Sequence, residues 1–394
     1  MKARYIYILL MLVLAVSGMT SCVYPFEAEL DGESGTFVIE GDILIGEVME
    51  VNLSYTAPVD SSYAIRRPAH ASVWVEDDAG GRYSGKVDVP REKYFVDMRE
   101  ADTGLKYRLR VENHDTGKGY ASSWQAVCKA PHIDSLSYIV DEVHSQLDIA
   151  LSMHSDIGSY FKWSYREDWE YHSAYRAKIR YLPDPITWAQ GPGVINDIIY
   201  PDVPDYYCWD YEYSSEIMLF STESQTEDRF VDLEFHSIPR QSKKISSLYH
   251  IEVQLEPITR EAYLYWDNIR ANSEYNGSLF APNPSEMAGN IKCLTDTTEM
   301  VIGYINVAER DSQAMFYDNS EEFFYKAPYA FTDEPLEVAS SKDWFSWYSR
   351  GYLPYDYKEM GSPSPTLWSL KGNVDCTCQG GTRLRPPYWP NDHR

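Results

Sequence analysis

Apolar and polar residues alternate over residues 36–130. Val51, Leu53 and Tyr55 are separated by polar residues, and residues 107–111 repeat the pattern. A period of two places apolar side chains on one face of a strand, so each segment predicts a half-buried β-strand. Because turn-forming residues separate these short strands, the sequence predicts an Ig- or transthyretin-like β-sandwich over residues 36–130.

The same alternation continues through a second block, residues 131–394. It predicts strands at residues 147–153, 160–165, 231–235 and 249–255. Only one segment of this block shows convincing helical spacing of its apolar residues, so strands must build most of the core. Together the two blocks predict an all-β protein, in which a small sandwich precedes a larger β-sandwich-like domain.

The one predicted helix of the mature chain covers residues 259–273. Thr259 suits the N-cap position, because its hydroxyl can accept a hydrogen bond from the first turn. Ala262 and Tyr265 begin an apolar stripe, which predicts that the helix packs across a sheet edge or a sandwich end. From about residue 311 onwards the periodic patterns are sparse, and the sequence predicts a loop-rich C-terminal wrap.

The first residues have the three parts of a bacterial export signal. Two basic residues precede an apolar run at residues 6–16, and small residues then lead to Cys22. The run is shorter than the ~20 residues that a membrane-spanning helix needs. The cysteine predicts a lipoprotein, with a signal peptide at residues 1–21 and a lipidated tether at residues 22–35. The alternative is an ordinary signal peptide followed by a chance cysteine.

Acidic residues dominate the charge of the chain. Sixty Asp and Glu residues against 35 Lys and Arg residues give a formal net charge of −25. Nucleic-acid binding requires clustered basic residues, so this balance argues against a nucleic-acid partner. It also argues against electrostatic adhesion to anionic lipid headgroups, and membrane attachment is therefore predicted to depend on the lipid at Cys22.

Aromatic residues make up 14% of the chain and concentrate in two segments. Residues 181–213 also contain five prolines, which predicts an irregular loop with Tyr207 and Trp209 as candidate contacts. A denser run supplies five more candidate contacts with a ligand or partner: Trp344, Phe345, Trp347, Tyr348 and Tyr352. Such rings stack on sugars or insert into pockets of a partner. The alternative is that they fasten the C-terminal segment onto the sandwich.

The common catalytic motifs are absent from the sequence. It contains no H-E-x-x-H, no G-x-S-x-G and no phosphate-binding glycine loop. Glu167, Asp168 and Glu170 flank Trp169, which leaves a glycoside hydrolase as a minor alternative. Three aspartates in the proline-rich loop lack the spacing of a calcium loop: Asp197, Asp202 and Asp205. We therefore predict a non-catalytic protein without a metal or a cofactor.

Five cysteines follow Cys22, and export makes disulfide bonds possible. An odd number leaves at least one cysteine outside any intramolecular pair. Cys376 and Cys378 are the candidate disulfide residues, either bonded to each other or with one of them bonded to another cysteine. Their C-x-C spacing, with no second pair, does not predict a zinc site.

Several segments occur in the order found in one known family. They are residues 255–266 (LEPITREAYLYW), 277–284 (GSLFAPNP), 289–291, 303–304, 375–376, 380–382 and 387–389. With them the chain resembles the Bacteroidota lipoproteins grouped as domain-of-unknown-function family 4249. Members often carry C-x-x-C near the end, whereas this chain has Asn373 at the expected first position and an additional Cys378. A disulfide inherited from the family is therefore not assigned.

The resemblance implies a location and a partner. Members resemble outer-membrane lipoproteins encoded beside TonB-dependent transporters. We therefore expect an outer-membrane protein, anchored by its lipid and facing the cell surface. It would act as a non-catalytic accessory subunit of such a transporter, in ligand capture, as a lid or in assembly. The alternative is a free-standing surface lipoprotein that binds a glycan or a peptide.

Mass spectrometry of the N-terminal peptide tests the predicted anchor. We expect cleavage before Cys22 and acyl chains on that residue, and we expect Cys22→Ala to move the protein into the soluble fraction. An unacylated N-terminus on a protein found free in solution would contradict the prediction.

Overall fold

The computed structural model describes residues 35–57, 65–156, 158–183, 193–197, 206–274, 289–322, 324–325, 335–359 and 365–390. The signal peptide, Cys22 and the predicted tether lie outside these residues, except for residue 35. Strands form 50% of the structure and helices 12%, so the predicted all-β class is confirmed. Among the described residues, no helix is long and apolar enough to cross a membrane.

The N-terminal sandwich begins with ten short strands. They are β1 (Phe37–Glu40), β2 (Ile43–Leu44), β3 (Val48–Tyr55), β4 (Ala71–Asp77), β5 (Arg82–Ser84), β6 (Lys86–Asp88), β7 (Lys93–Asp97), β8 (Lys106–Asn113), β9 (Lys118–Ser122) and β10 (Gln125–Ala126). One sheet contains β1, β3, β7 and β6, and the other contains β9, β8, β4 and β5. Alternate residues such as Val51 and Leu53 of β3, and Leu109 and Val111 of β8, form the core. The strands predicted from these alternations are confirmed.

Nine strands follow, and seven of them belong to the second sandwich. They are β11 (His132–Asp141), β12 (Gln146–His154), β13 (Tyr160–His172), β14 (Ile179–Leu182), β15 (Val194–Asp197), β16 (Tyr207–Tyr213), β17 (Met218–Ser221), β18 (Arg229–Pro239) and β19 (Leu248–Pro257). Strands β14 and β15 form a separate pair. One sheet of the sandwich has the order β11–β12–β18, and the other includes β16–β13–β19, with β17 also paired to β13. Ile149 of β12 packs with Ile251 and Val253 of β19 in the core between them.

The segment over residues 181–213 is more ordered than the sequence predicts. Its first strand, β14, pairs with β15, and β16 pairs with β13 over seven residues. The predicted irregular loop is therefore wrong for these parts: Pro183 lies just after β14, and the described strands of this segment contain no proline that would interrupt their pairing. Trp188 and the other four prolines of this segment lie outside the described residues.

Helix α1 (Arg260–Glu274) starts one residue after the predicted boundary. Thr259 forms the N-cap, since its Oγ1 accepts a hydrogen bond of 3.1 Å from the backbone N of Ala262. Ala262 and Tyr265 pack against Leu219 of β17, which agrees with the predicted position across the sheet.

Strands that follow α1 return to the N-terminal sandwich. They are β20 (Ile291–Cys293), β21 (Val301–Ile302) and β22 (Val307–Ala308). They pair with β9, β1 and β2, respectively. The predicted limit of this sandwich at residue 130 is therefore wrong, because these late strands cover edges of β1, β2 and β9 that would otherwise lack partners. The next strand, β23 (Asp311–Asp318), pairs with β19 of the second sandwich.

The C-terminal segment has its own small sheet, which corrects the predicted loop-rich wrap. Its elements are α2 (Asn319–Glu322), β24 (Leu336–Val338), α3 (Trp344–Ser349), β25 (Tyr352–Tyr357), β26 (Thr366–Leu370) and α4 (Lys371–Val374). The sheet has the order β24–β26–β25, and Trp368 of its central strand β26 is fully buried. Short strands with so few apolar positions leave little periodicity in the sequence.

A disulfide bond ties this segment to the second sandwich. It joins Cys208 of β16 to Cys376, with the two Cα atoms 5.8 Å apart. Of the two predicted alternatives, the structure has the one in which Cys376 is bonded to another cysteine, and Cys378 lies exposed outside the bond. The fold brings Cys208 and Cys376, which are distant in sequence, to the Cα separation that a disulfide needs. The bond closes a loop across 168 sequence positions, which restricts the unfolded chain.

Charged side chains join the two sandwiches at a mostly buried junction. Lys162 of β13 forms ion pairs with Asp42, which lies between β1 and β2, and with Glu256 of β19. Arg310 extends the network to Glu47, which directly precedes β3. Burial disfavours the charged form of Lys162, but Asp42 and Glu256 outweigh it and raise the pKa of the ammonium group.

Backbone and amide groups complete this junction. Fully buried Asn306 donates its backbone N–H to Oδ1 of Asp42 over 3.0 Å. Its side-chain Nδ2 donates to the carbonyl oxygen of Pro257 over 2.8 Å. Asn306 therefore contacts the loop after β1 in the first sandwich and the end of β19 in the second, and the returning segment links the two.

We expect Lys162→Met to lower the free energy of unfolding by about 3 kcal/mol, because it leaves Asp42 buried without its cation and Glu256 with Arg310 alone. Lys93→Met is the matched control, since its partner Glu50 is exposed and such a pair contributes at most about 1 kcal/mol. Urea unfolding of both variants measures the difference. Equal losses would show that the junction does not depend on the ion pairs.

Candidate functional site

The predicted contacts of the C-terminal run pack inwards. Trp344, Trp347, Tyr348 and Tyr352 are half-buried against a core formed by Tyr181, Val338 and Trp368. The ring of Tyr181 lies 5.2 Å from that of Tyr348 and 5.7 Å from that of Trp368. Phe345 is also half-buried. These contacts join the C-terminal sheet to β14 and agree with the alternative in which the rings fasten the segment.

The other two predicted contacts lie in a separate place. Trp209 of β16 is buried with Leu248 and Trp389, and half-buried Tyr207 packs against this group. The structure therefore does not bring Tyr207 and Trp209 together with the run that starts at Trp344.

The carboxylates of the hydrolase alternative lie on opposite faces of β13. Glu167 faces the sandwich core, where its oxygens lie 2.9 Å from His236 Nε2 and accept hydrogen bonds from Tyr249 (2.8 Å) and Lys244 (2.6 Å). Burial raises the pKa of Glu167, but hydrogen bonds and charge from His236 and Lys244 outweigh it and lower the pKa. Glu167 is thus a buried carboxylate with its partners already in place.

Asp168 and Glu170 face the other side of β13 and are also buried, with exposed fractions of 1% and 0%. Asp168 accepts a hydrogen bond of 2.7 Å from Arg166, and Glu170 accepts one of 3.1 Å from the indole N–H of Trp389. A glycosidase needs two carboxyl groups that flank the same substrate. These side chains do not form such an open pair.

The aspartates of the proline-rich loop are only partly described. Asp197 ends β15 and accepts a hydrogen bond of 3.3 Å from the hydroxyl of Tyr357. Asp202 and Asp205 lie outside the described residues. Within the described part of the chain, no group of three His, Cys, Asp or Glu side chains is placed to hold a metal ion.

The outer face of the sheet β16–β13–β19–β23 carries a cluster that the sequence does not single out. The strand register aligns Tyr213, Arg166 and Glu252 in one row across this face. The next row contains Tyr211, Asp168, His250 and Phe316. Tyr388 from the C-terminal segment lies beside His250, with their rings 4.8 Å apart. We call this surface the aromatic face; its members are Arg166, Tyr211, Tyr213, Glu252, Phe316 and Tyr388, with Asp168 and His250 beneath them.

Exposed aromatic side chains concentrate on the aromatic face. Six Phe, Trp and Tyr residues of the described chain are exposed, and four of them lie here, with exposed fractions of 55% for Tyr211, 61% for Tyr213, 38% for Phe316 and 46% for Tyr388. The other two are Trp124 and Tyr357. Exposed rings gathered on one surface are typical of a recognition site.

Arg166 holds the rings of β16 in position. Its guanidinium lies 5.1 Å from the ring centre of Tyr211 and 5.6 Å from that of Tyr213. The Asp168 carboxylate fixes the same guanidinium from below. Burial and the neighbouring Asp168 raise the pKa of Tyr388, so this hydroxyl stays protonated at neutral pH. The rings thus form a preset surface on a rigid sheet.

Sequence reasoning missed the aromatic face, although a signal exists. Tyr207, Trp209, Tyr211 and Tyr213 occur at every second position, which in a strand places them on one side. The nearby prolines favour a loop, and the prediction of a loop does not use the period of two in these aromatic residues. The positions of Arg166, Phe316 and Tyr388 beside these tyrosines depend on pairing between distant strands.

We expect Glu167→Gln to lower the free energy of unfolding at pH 7 by about 2 kcal/mol, because charged hydrogen bonds are lost in the core. The folded-state pKa of Glu167 is lowered from 4.5, so its stabilisation is present above that pH and is lost as the pH falls through the folded pKa. The variant should therefore lose less stability than the unsubstituted protein as the pH is lowered from about 7 to about 3.

Denaturant unfolding across this pH range makes the comparison. Glu212→Gln is the control, because Glu212 pairs with the same Lys244 but is exposed. If Glu167→Gln and the unsubstituted protein lose stability in parallel on acidification, the ionised state assigned to Glu167 is wrong.

Solved structures show only weak likeness to this chain. A two-domain fibronectin type III segment of chicken tenascin has 12% identity and a TM-score of 0.16, covering 56% of this chain and 88% of the segment. A DUF4785 family protein from Legionella pneumophila has 7% identity and a TM-score of 0.16, covering 57% and 51%. E. coli alpha-2-macroglobulin has 12% identity and a TM-score of 0.17, covering 58% and 13%. TM-scores this low carry no information about a shared fold.

No curated protein matches the sequence. The family model described as "Domain of unknown function (DUF4249)" matches residues 23–314. The match begins directly after Cys22 and ends within β23, so the C-terminal segments that resemble the family, residues 375–389, lie beyond it. Because the model covers more than half of the sequence, the chain belongs to the DUF4249 family.

Proposed function

We propose that this protein is an outer-membrane lipoprotein and a non-catalytic accessory subunit of a TonB-dependent transporter. Its lipid would be attached to Cys22, and its folded body would face the cell surface. Membership of the DUF4249 family is compatible with this proposal, because the residues that carry the resemblance suggested a Bacteroidota lipoprotein with such a partner.

The aromatic face is the observation that carries the proposal. Tyr211 and Tyr213 stand on a paired strand, whose backbone is already ordered. Binding of a partner or its cargo at these residues would therefore lose little conformational entropy. A tyrosine ring has an apolar body and a polar hydroxyl, so tyrosines suit a surface that is exposed to water and also binds a partner or ligand. The predicted lipid at Cys22 would keep this surface close to the membrane and to a transporter in it.

The interior supports a non-catalytic role. The carboxylates most suited to hydrolysis, Glu167 and Asp168, are 1% exposed and hydrogen-bonded within the fold. A catalytic acid or base has to reach the proton that it transfers. These two groups instead stabilise the faces of β13.

Affinity purification of the lipoprotein from detergent-solubilised membranes tests the proposal. We expect a β-barrel transporter to be recovered with it in a fixed ratio, and Cys22→Ala to abolish the recovery because the protein leaves the membrane. Cys378→Ala is the matched control, since this exposed cysteine lies outside the disulfide and the signal. Recovery of the acylated protein without any barrel would contradict the proposal.

A further inference from the structure

We infer that the aromatic face binds an uncharged oligosaccharide, and that the protein uses this surface for ligand capture. The inference deepens the proposed function and rests on it for its biological role. Binding itself requires only the purified chain. A failure of sugar binding would therefore contradict the ligand assignment without contradicting the accessory role.

The exposed rings provide the apolar half of the site. Tyr211 and Tyr213 lie 5.8 Å apart at an interplanar angle of 80°, so they offer two ring surfaces in different orientations. A pyranose has one side covered by C–H groups, which packs against an aromatic face as other apolar groups do. Phe316 and Tyr388 extend the apolar surface across the sheet. Tyr211 and Phe316 stand in one row on the two outer strands of four, about 14 Å apart at ~4.8 Å between neighbouring strands, a length that fits several sugar units in a chain.

Side chains between the rings provide the polar half. Arg166 contributes hydrogen-bond donors, and Glu252 lies next to it in the strand register as an acceptor. Adjacent sugar hydroxyls act as donors and acceptors together, so this pair matches them. The phenol groups of Tyr211 and Tyr213 can donate and accept at the edge of the same surface.

The charges of the site favour an uncharged ligand. The positive charge of Arg166 is balanced by Asp168, which accepts its hydrogen bond, and Glu252 adds a further negative charge. The whole chain has a net charge of −25. Acidic ligands are therefore repelled both by the site and by its surroundings.

The backbone of the sheet argues for a sugar over a peptide. An extended peptide usually binds by adding a strand to an open sheet edge, where backbone groups lack partners. The aromatic face is the flat side of the sheet, where β13 and β19 each pair with neighbours on both sides, whereas β16 is an edge strand that pairs with β13 on one side and meets Thr382 at Trp209 on the other. A ligand on this side has to bind through rings and side chains, which an oligosaccharide can do.

Isothermal titration calorimetry on the complete mature chain with Cys22→Ser tests the inference. The probes are cellohexaose, laminarihexaose, xylohexaose and mannohexaose at millimolar concentration. We expect at least one to bind, and Tyr211→Ala and Tyr213→Ala each to weaken it about tenfold or more. Tyr211→Phe should keep most of the affinity because it keeps the ring.

Trp124→Ala is the matched control. Trp124 is exposed and lies against Arg108 at 4.4 Å, as Tyr211 lies against Arg166, but it belongs to the N-terminal sandwich. Its loss should leave the dissociation constant unchanged. Unfolding temperatures of all variants establish that the exposed substitutions leave the fold intact.

Three outcomes would overturn the inference. They are no heat of binding with any of the four sugars, binding that both tyrosine variants retain, and displacement of the sugar by an unstructured peptide at lower concentration. If sugar binding fails while a barrel is still recovered from membranes, the accessory role stands and the ligand assignment is wrong. If sugar binding succeeds without a barrel, the protein is a capture lipoprotein that acts alone.

Discussion

The ion pairs of Lys162 link the two sandwiches across a buried junction. Its partners come from the loop after β1 and from β19, and Arg310 adds a link to Glu47. A buried cation without nearby carboxylates would strongly destabilise the fold. The two sandwiches must therefore lie where Asp42 and Glu256 both reach Lys162. Asn306 supports the same position through neutral hydrogen bonds. The two sandwiches, and with them their exposed surfaces, therefore have a fixed position relative to each other.

Strand β13 connects this junction to the candidate site. Lys162 lies near its start, Glu167 faces the core in its middle, and Arg166 supports the aromatic face on the other side. The disulfide of Cys208 attaches the C-terminal segment to the neighbouring strand β16. That attachment allows Tyr388 and Trp389 to cover part of the sheet. The proposed recognition surface is thus built from segments far apart in sequence.

Local patterns in the sequence were sufficient for several elements and insufficient for others. The helix beginning near Thr259 was predictable, because its cap and apolar stripe depend on neighbouring residues. The rings around Trp344 were equally compatible with a surface and with a core, and only the position of Trp368 distinguishes the two. Cys376 had several candidate partners, since chain distance places no limit on disulfide pairing.

The sequence by itself determined the all-β class, the main strands, the α1 helix and the acidic character, because period, capping and composition act over short distances. Only the tertiary structure decided that β20–β22 complete the first sandwich, that Cys208 bonds Cys376, and that Tyr211, Phe316 and Tyr388 share one surface. Those features depend on which strands become neighbours, and hydrophobic alternation is nearly the same for many pairings. The register of the sheets therefore decides where the candidate site lies.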